Sequence, residues 1–286
     1  MNQTRPLQAF QNVVASGIAV CDLGPTLFGS TLEALHLELG GTTFTKAMIT
    51  SIQLKANGKV IWDTTGSAQD TINTYKNQAN GTTVLTLDFM ESKARTVNGF
   101  QSGGLDLSLA SKITQLRLEV TIAGATAPTL AGWAEVSPAV EVKGEEAIRF
   151  LILRRHRMQV QAPAAGEFAL PIPHMDPAGG GSVFKRIHLF SANCTDIRVN
   201  REGIDEYKVK KTILQEQQKR AGRVPQANHF CYDPILDNIQ NGRVFDTTSA
   251  QAPYGAGVRS ASFFGTFSAS ETFWIETEEL IHLNDY

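Results

Sequence analysis

The stretch Ile49–Asp63, ITSIQLKANGKVIWD, constrains the fold of this chain more than any other. Ile52, Leu54 and Ala56 fall on one side of an extended segment, Gln53 and Lys55 on the other. Successive side chains alternate faces along a strand, so the pattern marks a strand with one buried face. Asn57-Gly58 then supplies the two positive-φ residues of a tight hairpin, and Val60 and Trp62 resume the alternation. The stretch has an echo half a chain away. Phe184, Ile187 and Leu189 repeat the spacing of Ile49, Ile52 and Leu54, and Ile197-Arg-Val199-Asn200 follows. Such self-similarity predicts two copies of one module.

At 286 residues there is room for two modules of about 140 residues, each with a core of its own. The net charge of −2 gives no bulk electrostatic case for nucleic-acid binding. Cys21, Cys194 and Cys231 are odd in number and have no CxxC spacing, which excludes a dense disulfide framework and fits a reducing compartment. No apolar run approaches the length of a membrane span. The opening MNQTRPLQAFQNVV has no apolar signal region, so the N-x-S/T matches at Asn2, Asn80 and Asn193 read as chance.

Residues 1–11 are expected to be an N-terminal arm, 12–140 the first module and 141–286 the second, with the Pro-, Gly- and charge-bearing stretch 137–146 as the linker. In the first module, strands are expected over Asn12–Asp22, Thr31–Gly40, the hairpin, Val84–Phe89, Leu116–Ile122 and Trp133–Val136. A short helix, capped by Ser67, is expected after the hairpin. The second module opens with Ile148–Val160 and Gly166–Leu170. Ile204, Tyr207, Lys211 and Leu214 then predict a long helix over Arg201–Arg220, stopped by Gly222 and Pro225. His229–Asp233 and Phe245–Thr247 follow, and Trp274-Ile-Glu276 repeats Trp133-Ala-Glu135. The expected fold is all-β: two consecutive eight-stranded jelly-roll sandwiches with short helical insertions. Pattern alone does not separate a jelly roll from an immunoglobulin-like sandwich, although the paired Cys of an antibody-type domain is missing.

No catalytic or cofactor-binding residue stands out. The histidines are His36, His156, His174, His188, His229 and His282, and none forms the H-x-H pair of a cupin metal site. His36 and His188 lie on expected strands and read as surface or interface residues. Gly180-Gly-Ser182 is a glycine loop, not a nucleophile elbow, and there is no P-loop or G-x-G-x-x-G. Asp233, Asp237, Asn238 and Asp246 are the densest carboxylate group. They read either as turn formers or as oxygen ligands for a structural Ca2+. Nothing in their spacing fixes the separation that glycoside hydrolysis needs. The basic run Arg154-Arg155-His156-Arg157, joined by Arg149, reads either as a phosphate contact or as a charged strand edge. Lys208, Lys210, Lys211, Lys219 and Arg220 give the expected long helix a basic, solvated or subunit-facing side.

The chain resembles the double jelly-roll major capsid proteins of icosahedral viruses with an internal membrane, in particular the compact corticovirus type also found in bacterial prophages. Ile52-Gln-Leu-Lys-Ala-Asn-Gly-Lys-Val-Ile-Trp62, Leu87-Asp88-Phe89 and Ala123-Gly-Ala-Thr-Ala-Pro128 leading to Ala134-Glu135 carry the resemblance, with Gly166-Glu-Phe-Ala-Leu-Pro171 and Lys185-Arg-Ile-His-Leu189 in the second half. The resemblance implies homotrimers of six jelly rolls that tile a shell, partnered by penton and minor capsid proteins and by an internal membrane, in a virion assembled in the host cytoplasm. Some such proteins bind Ca2+ between subunits, but no residue here matches a motif that would carry this over. Phe263, Phe264, Phe267, Phe273, Trp274 and Tyr254 are expected to lie partly between subunits. The alternative is a carbohydrate-binding or carbohydrate-cleaving protein on paired jelly rolls. It predicts a groove of exposed tryptophans, whereas Trp62, Trp133 and Trp274 sit in strand patterns that point to the core.

Overall fold

The computed structural model describes residues 3–78, 81–91, 93–94, 103–108, 113–138, 151–177, 180–239, 244–248 and 258–282. The first half contains β1 (Gln3–Pro6), β2 (Gly17–Asp22), β3 (Ser30–Thr43), β4 (Ile49–Ala56), β5 (Lys59–Thr64), β6 (Val84–Asp88), β7 (Leu105–Asp106), β8 (Leu116–Ile122) and β9 (Thr126–Pro138). The second contains β10 (Leu151–Ala162), β11 (Gly166–Leu170), β12 (Val183–Phe190), β13 (Cys194–Arg201), β14 (Ile204–Lys210), β15 (Phe230–Tyr232), β16 (Phe245–Asp246), β17 (Ala261–Phe267) and β18 (Glu271–His282). Three short helices accompany them: α1 (Gly24–Leu27), α2 (Gly66–Tyr75) and α3 (Lys211–Arg220).

The strand order is the same in both halves. In the first, β1-β9-β3-β6 covers β2-β8-β4-β5; in the second, β10-β18-β12-β15 covers β11-β17-β13-β14. Two four-stranded sheets with this connectivity form a jelly roll, so the chain is a double jelly roll. β5 meets β10 in parallel at one pair, Trp62 opposite Arg155, and thereby joins one sheet of each half into a single sheet.

The duplication shows most plainly in the irregularities. β4 slips register against β8 between Ile49 and Ser51, and β13 slips against β17 between Cys194 and Asp196. β4 slips against β5 between Leu54 and Lys55, and β13 against β14 between Val199 and Asn200. β3 bulges at Glu33, and β12 bulges at Lys185. Bulges set local twist, so matching bulges mean matching strand curvature.

These registers correct the sequence reading. The partner of Ile49, Ile52 and Leu54 is Cys194, Ile197 and Val199; Phe184, Ile187 and Leu189 belong to the preceding strand and match Leu32, Leu35 and Leu37. Likewise Trp133 matches Glu276, not Trp274, because the first two pair with His36 and His188. The expected helix over Arg201–Arg220 is a strand followed by a helix. Glu202 and Gly203, both at positive φ, turn the chain so that Ile204–Lys210 pairs back on β13. The α2 cap is Thr65, whose hydroxyl accepts from Ala68 N at 3.2 Å, two residues before the expected Ser67. The expected arm contributes β1, which pairs with β9 from Gln3 to Pro6. Residues 139–150, most of the expected linker, lie outside the described residues, as do Arg149 and Tyr254.

Each half has its own apolar core. The first gathers Leu35, Leu37, Ile52, Leu54, Trp62, Leu85, Leu87, Leu118 and Val120. The second gathers Phe184, Ile187, Ile197, Val199, Phe230, Phe263, Phe267, Phe273 and Ile275. Phe263, Phe267 and Phe273 are thus core residues and not subunit contacts, while Phe264 lies half-buried under the Arg198 guanidinium, 3.8 Å away. Ile152, Leu153, Val183, Leu280 and Ile281 of the second half join the first core. Because one core draws on both halves, unfolding should be a single transition. In variants keeping only Trp133 or only Trp274, with Phe at the other tryptophan positions, fluorescence should report one shared denaturation midpoint. Two separated midpoints would show that the halves are independent.

Candidate functional site at the seam between the halves

A cluster of buried charge fills the seam. Strand β18 carries Glu276-Thr277-Glu278-Glu279, each fully buried. Directly opposite on β10 stand Arg157, His156, Arg155 and Arg154. Arg154 meets Glu279 at 2.5 Å, Arg155 meets Glu278 at 2.6 Å and Arg157 approaches Glu276 at 3.5 Å. The basic run is therefore not a strand edge, and its three arginines are paired with carboxylates. It lies between two neighbouring strands and is matched by an acidic run on one of them. Arg155 also lies 4.3 Å above the Trp62 ring, and Arg157 lies 3.6 Å above Trp274.

Glu278 is the hub. Its Oε1 receives Lys76 at 2.8 Å, and its Oε2 receives Arg186 at 2.9 Å. Arg186, on the β12 bulge turn, also reaches Glu91 at 2.9 Å and Asp233 at 3.1 Å. Lys185 reaches Glu91 at 3.5 Å. Asp233 Oδ2 further accepts from Tyr75 Oη at 3.1 Å and Arg223 Nε at 3.2 Å. Lys76, Tyr75 and Glu91 come from the first half and the rest from the second, so the cluster ties the halves in both directions. α2 lies against it along its polar side. Gln69 accepts from Arg155, and its amide donates to Asn73 Oδ1 and Thr86 O, both at 2.8 Å.

Burial alone would raise the carboxyl pKa of Glu278 and Glu91. The surrounding cations outweigh it. Lys76, Arg186 and Arg155 hold Glu278 well below its ordinary value, and Arg186 with Lys185 holds Glu91 below its own. Glu276 differs. Burial pushes it up to about 7 against the weaker pull of Arg155, the Thr64 hydroxyl and Arg157. His188 is buried, not a surface residue, and desolvation lowers it to about 4 despite Glu278 at 3.5 Å. His36 sits half-buried between Thr86 Oγ1 at 2.9 Å and Glu135 at 3.0 Å.

The expected carboxylate group is divided among separate tasks. Asp233 belongs to the charge cluster, Asp237 accepts from Ile239 N at 3.1 Å and Asp246 accepts from Thr248 N at 2.8 Å. The last two are turn-forming contacts within their own loops. The expected basic helix face is split, with Lys208 and Lys210 on β14 and Lys211, Lys219 and Arg220 on α3. Trp62 is a core residue as expected, whereas Trp133 is exposed and donates to Glu38 at 3.3 Å. The sequence reading named His188, His229 and Cys231 separately but missed that they converge, with their ligand atoms within 4.8 Å of one another. The spacing His229-x-Cys231, running into β15, was the available signal.

The seam joins two copies of one sandwich through charge, and the comparisons with known proteins agree with that architecture. The family model described as viral coat protein P2 N-terminal domain matches residues 4–137, and that of the P2 C-terminal domain matches residues 152–281. The chain belongs to the P2 viral coat protein family. The major capsid protein P2 of bacteriophage PM2 is similar in fold, with a TM-score of 0.78 at 15% identity over 99% of this chain and 98% of that one. The major capsid protein of STIV, the Sulfolobus Turreted Icosahedral Virus, has a TM-score of 0.66 at 11% identity, covering 98% of this chain and 97% of that one. A capsid chain of PBCV-1 has a TM-score of 0.59 at 12% identity, covering 98% and 93%. No curated protein sequence matches the chain.

Breaking a buried charge cluster leaves uncompensated charge, which is far more damaging than losing an exposed pair. Arg186→Met should therefore cost about 3–5 kcal/mol of stability, whereas Lys219→Ala, at an exposed pair with Glu216, should change it by less than about 1 kcal/mol. Chemical denaturation of both variants measures the contrast.

The acids of the cluster also set a pH dependence. Glu278 and Glu91 titrate lower when folded, so their contribution is complete above the ordinary carboxyl range and is lost as pH falls through their folded values. Glu276 titrates higher when folded, so its contribution is complete in acid and is lost as pH rises toward about 7. Glu276→Gln should accordingly raise the melting temperature at pH 8 and leave it nearly unchanged at pH 4.5. An equal shift at both pH values would contradict the assignment.

Proposed function

We propose that this chain is the major capsid protein of an icosahedral virus with an internal membrane, assembling as pseudo-hexagonal homotrimers that tile the shell. In this reading its partners are its own copies, the neighbouring trimers, penton and minor capsid proteins, and the membrane, and assembly takes place in the host cytoplasm. Family membership supports the coat-protein role. One observation supports the mode of assembly: each half carries the same face and the same helix, but among the described residues that face is fully covered only in the second half.

The strand registers equate His36 with His188, Glu135 with Glu278, Trp133 with Glu276 and Thr86 with Cys231. In the second half this face is closed off by α2 and β5 of the first half, and His188, Glu276 and Glu278 are fully buried. In the first half the matching face is open. Trp133 is 40% exposed there, and His36 and Glu135 are partly exposed. The helix that matches α2 is α3, which buries only Leu214 and Gln218 and leaves Ile213 55% exposed. An open face and an unused copy of the element that covers it, on opposite halves of one chain, suit a head-to-tail contact between chains. Head-to-tail contacts close into rings when the rotation permits. Three chains supply six such modules, which is the basis of the pseudo-hexagonal outline.

The contact places α3 and β14 of one chain on the β1-β9-β3-β6 face of the next. Purified protein should sediment as a trimer, and electron microscopy should show trimers or hexagonal arrays. Ile213→Asp, a change at an exposed position, should give monomers with an unchanged near-ultraviolet circular dichroism spectrum. A wild-type protein that stays monomeric at all concentrations would remove this reading.

A further inference from the structure

We propose that His188, His229 and Cys231 form a binding site for one zinc-class transition-metal ion. The site is built by strand geometry. His188 on β12 lies directly opposite Cys231 on β15 in an antiparallel pair. His229 lies just before β15, two residues ahead of Cys231, and its ring stacks on that of His188. All three residues are buried, with their ligand atoms within 4.8 Å of one another. The imidazoles stack with ring centroids 5.1 Å apart at 17°, and His188 Nδ1 stands 2.9 Å from His229 Nε2.

The surroundings prepare these atoms for a cation. His188 Nε2 faces Glu278 Oε1 at 3.5 Å, and the carboxylate favours the proton on that nitrogen. The Nδ1 lone pair then points toward His229 and Cys231 and, without a metal, accepts from His229 Nε2–H at 2.9 Å. Metal-bound histidines commonly turn their other ring N–H toward a carboxylate, although at 3.5 Å His188 Nε2 makes a charge contact and not a hydrogen bond. The His188–His229 contact puts the His229 proton on Nε2 in the metal-free protein, and metal binding would move it to His229 Nδ1, which is buried with no hydrogen-bond partner among the described residues. Burial keeps both imidazoles neutral, the form that ligates. The Cys231 thiol is held protonated by burial, and metal binding would displace that proton to solvent as the Cys231 sulfur–metal bond forms.

Donor chemistry selects the class of ion. One thiolate and two imidazoles suit zinc and its neighbours, whereas Ca2+ and Mg2+ take oxygen ligands. Three protein donors leave the fourth corner of a tetrahedron to a water molecule. With the thiolate formed, a dication leaves one net positive charge at the site. The ion would bind the short strand β15 to β12 immediately behind the seam.

The test uses the full chain expressed in medium supplemented with Co2+ or Zn2+, because the site is closed in the folded protein. Wild type should purify with one metal per chain, and the cobalt form should show a thiolate-to-cobalt charge-transfer band in the near ultraviolet. Cys231→Ser should lose that band and His229→Gln should lower metal occupancy at least tenfold, while Cys194→Ser should retain both signals. Wild type without stoichiometric metal, or a charge-transfer band that survives Cys231→Ser, would overturn the proposal. Neither readout depends on whether the protein forms trimers.

Discussion

The structure depends on one pairing: the acidic run of β18 against the basic run of β10, with Glu278 at its centre. A charge that leaves water must find a partner in the same place, because the desolvation of an unpaired ion exceeds any gain from packing around it. Burial of Glu278 therefore demands Arg155 from the neighbouring strand, Arg186 from the far side and Lys76 from the other half. The backbones of the halves pair at Arg155 with Trp62 in the shared sheet and at an isolated bridge between Ile152 and Gly103, few contacts to fix the register. The charge cluster fixes it. Apolar area favours docking but is indifferent to register, whereas a lysine displaced by one residue from its glutamate is not. A cluster of this kind contributes little net stability compared with an apolar seam, and its value here lies in specifying one arrangement.

Much of the fold was legible because its signals are local. Leu116, Leu118, Val120 and Ile122 alternate with polar residues, and all four are buried on one side of β8. Asn57-Gly58 turns the hairpin with both residues at positive φ. What failed were the edge strands. β14 lies at the end of its sheet and exposes most of its side chains, so no burial pattern marks Ile204–Lys210 as a strand. With the Glu202-Gly203 turn unrecognised, the spacing of Ile204, Tyr207, Lys211 and Leu214 imitated a helix across the boundary between a strand and a real helix. The same blindness hid β1, whose Gln3–Pro6 is polar because it too ends a sheet. Missing one strand shifted the second copy by one element, which is why the echo of Ile49 was sought at Phe184.

The seam was less legible, and for a different reason. The basic run was visible in isolation, but its meaning depends on an acidic run more than a hundred residues away on a strand that neighbours it only in the folded chain. The readings as edge strand and as phosphate contact both assumed that arginines face outward. Their opposite numbers, Glu276, Glu278 and Glu279, carry as much charge and were just as visible. Pairing the two runs required knowing that the first and last strands of a jelly roll lie side by side.

The two copies of the seam face show how the same geometry takes different chemistry according to when it is covered. In the second half the face is covered by α2 of the same chain during folding, and it carries Arg186, Lys185 and Glu278 in full burial. Its charges never need to be separated once the chain has folded. In the first half the matching positions carry Ala34, Glu33 and Glu135, with the exposed Trp133 where the second half has Glu276. A face that must wait in water for another chain cannot hold a preformed cluster of charge without solvating it, and then desolvating it on every assembly step. An indole and a half-exposed His36–Glu135 pair meet that requirement better. The ring surface is apolar and readily desolvated, and the pair is already formed before contact. The division of labour follows from the order of events: charge for the contact made within one chain, aromatic area for the contact proposed between chains.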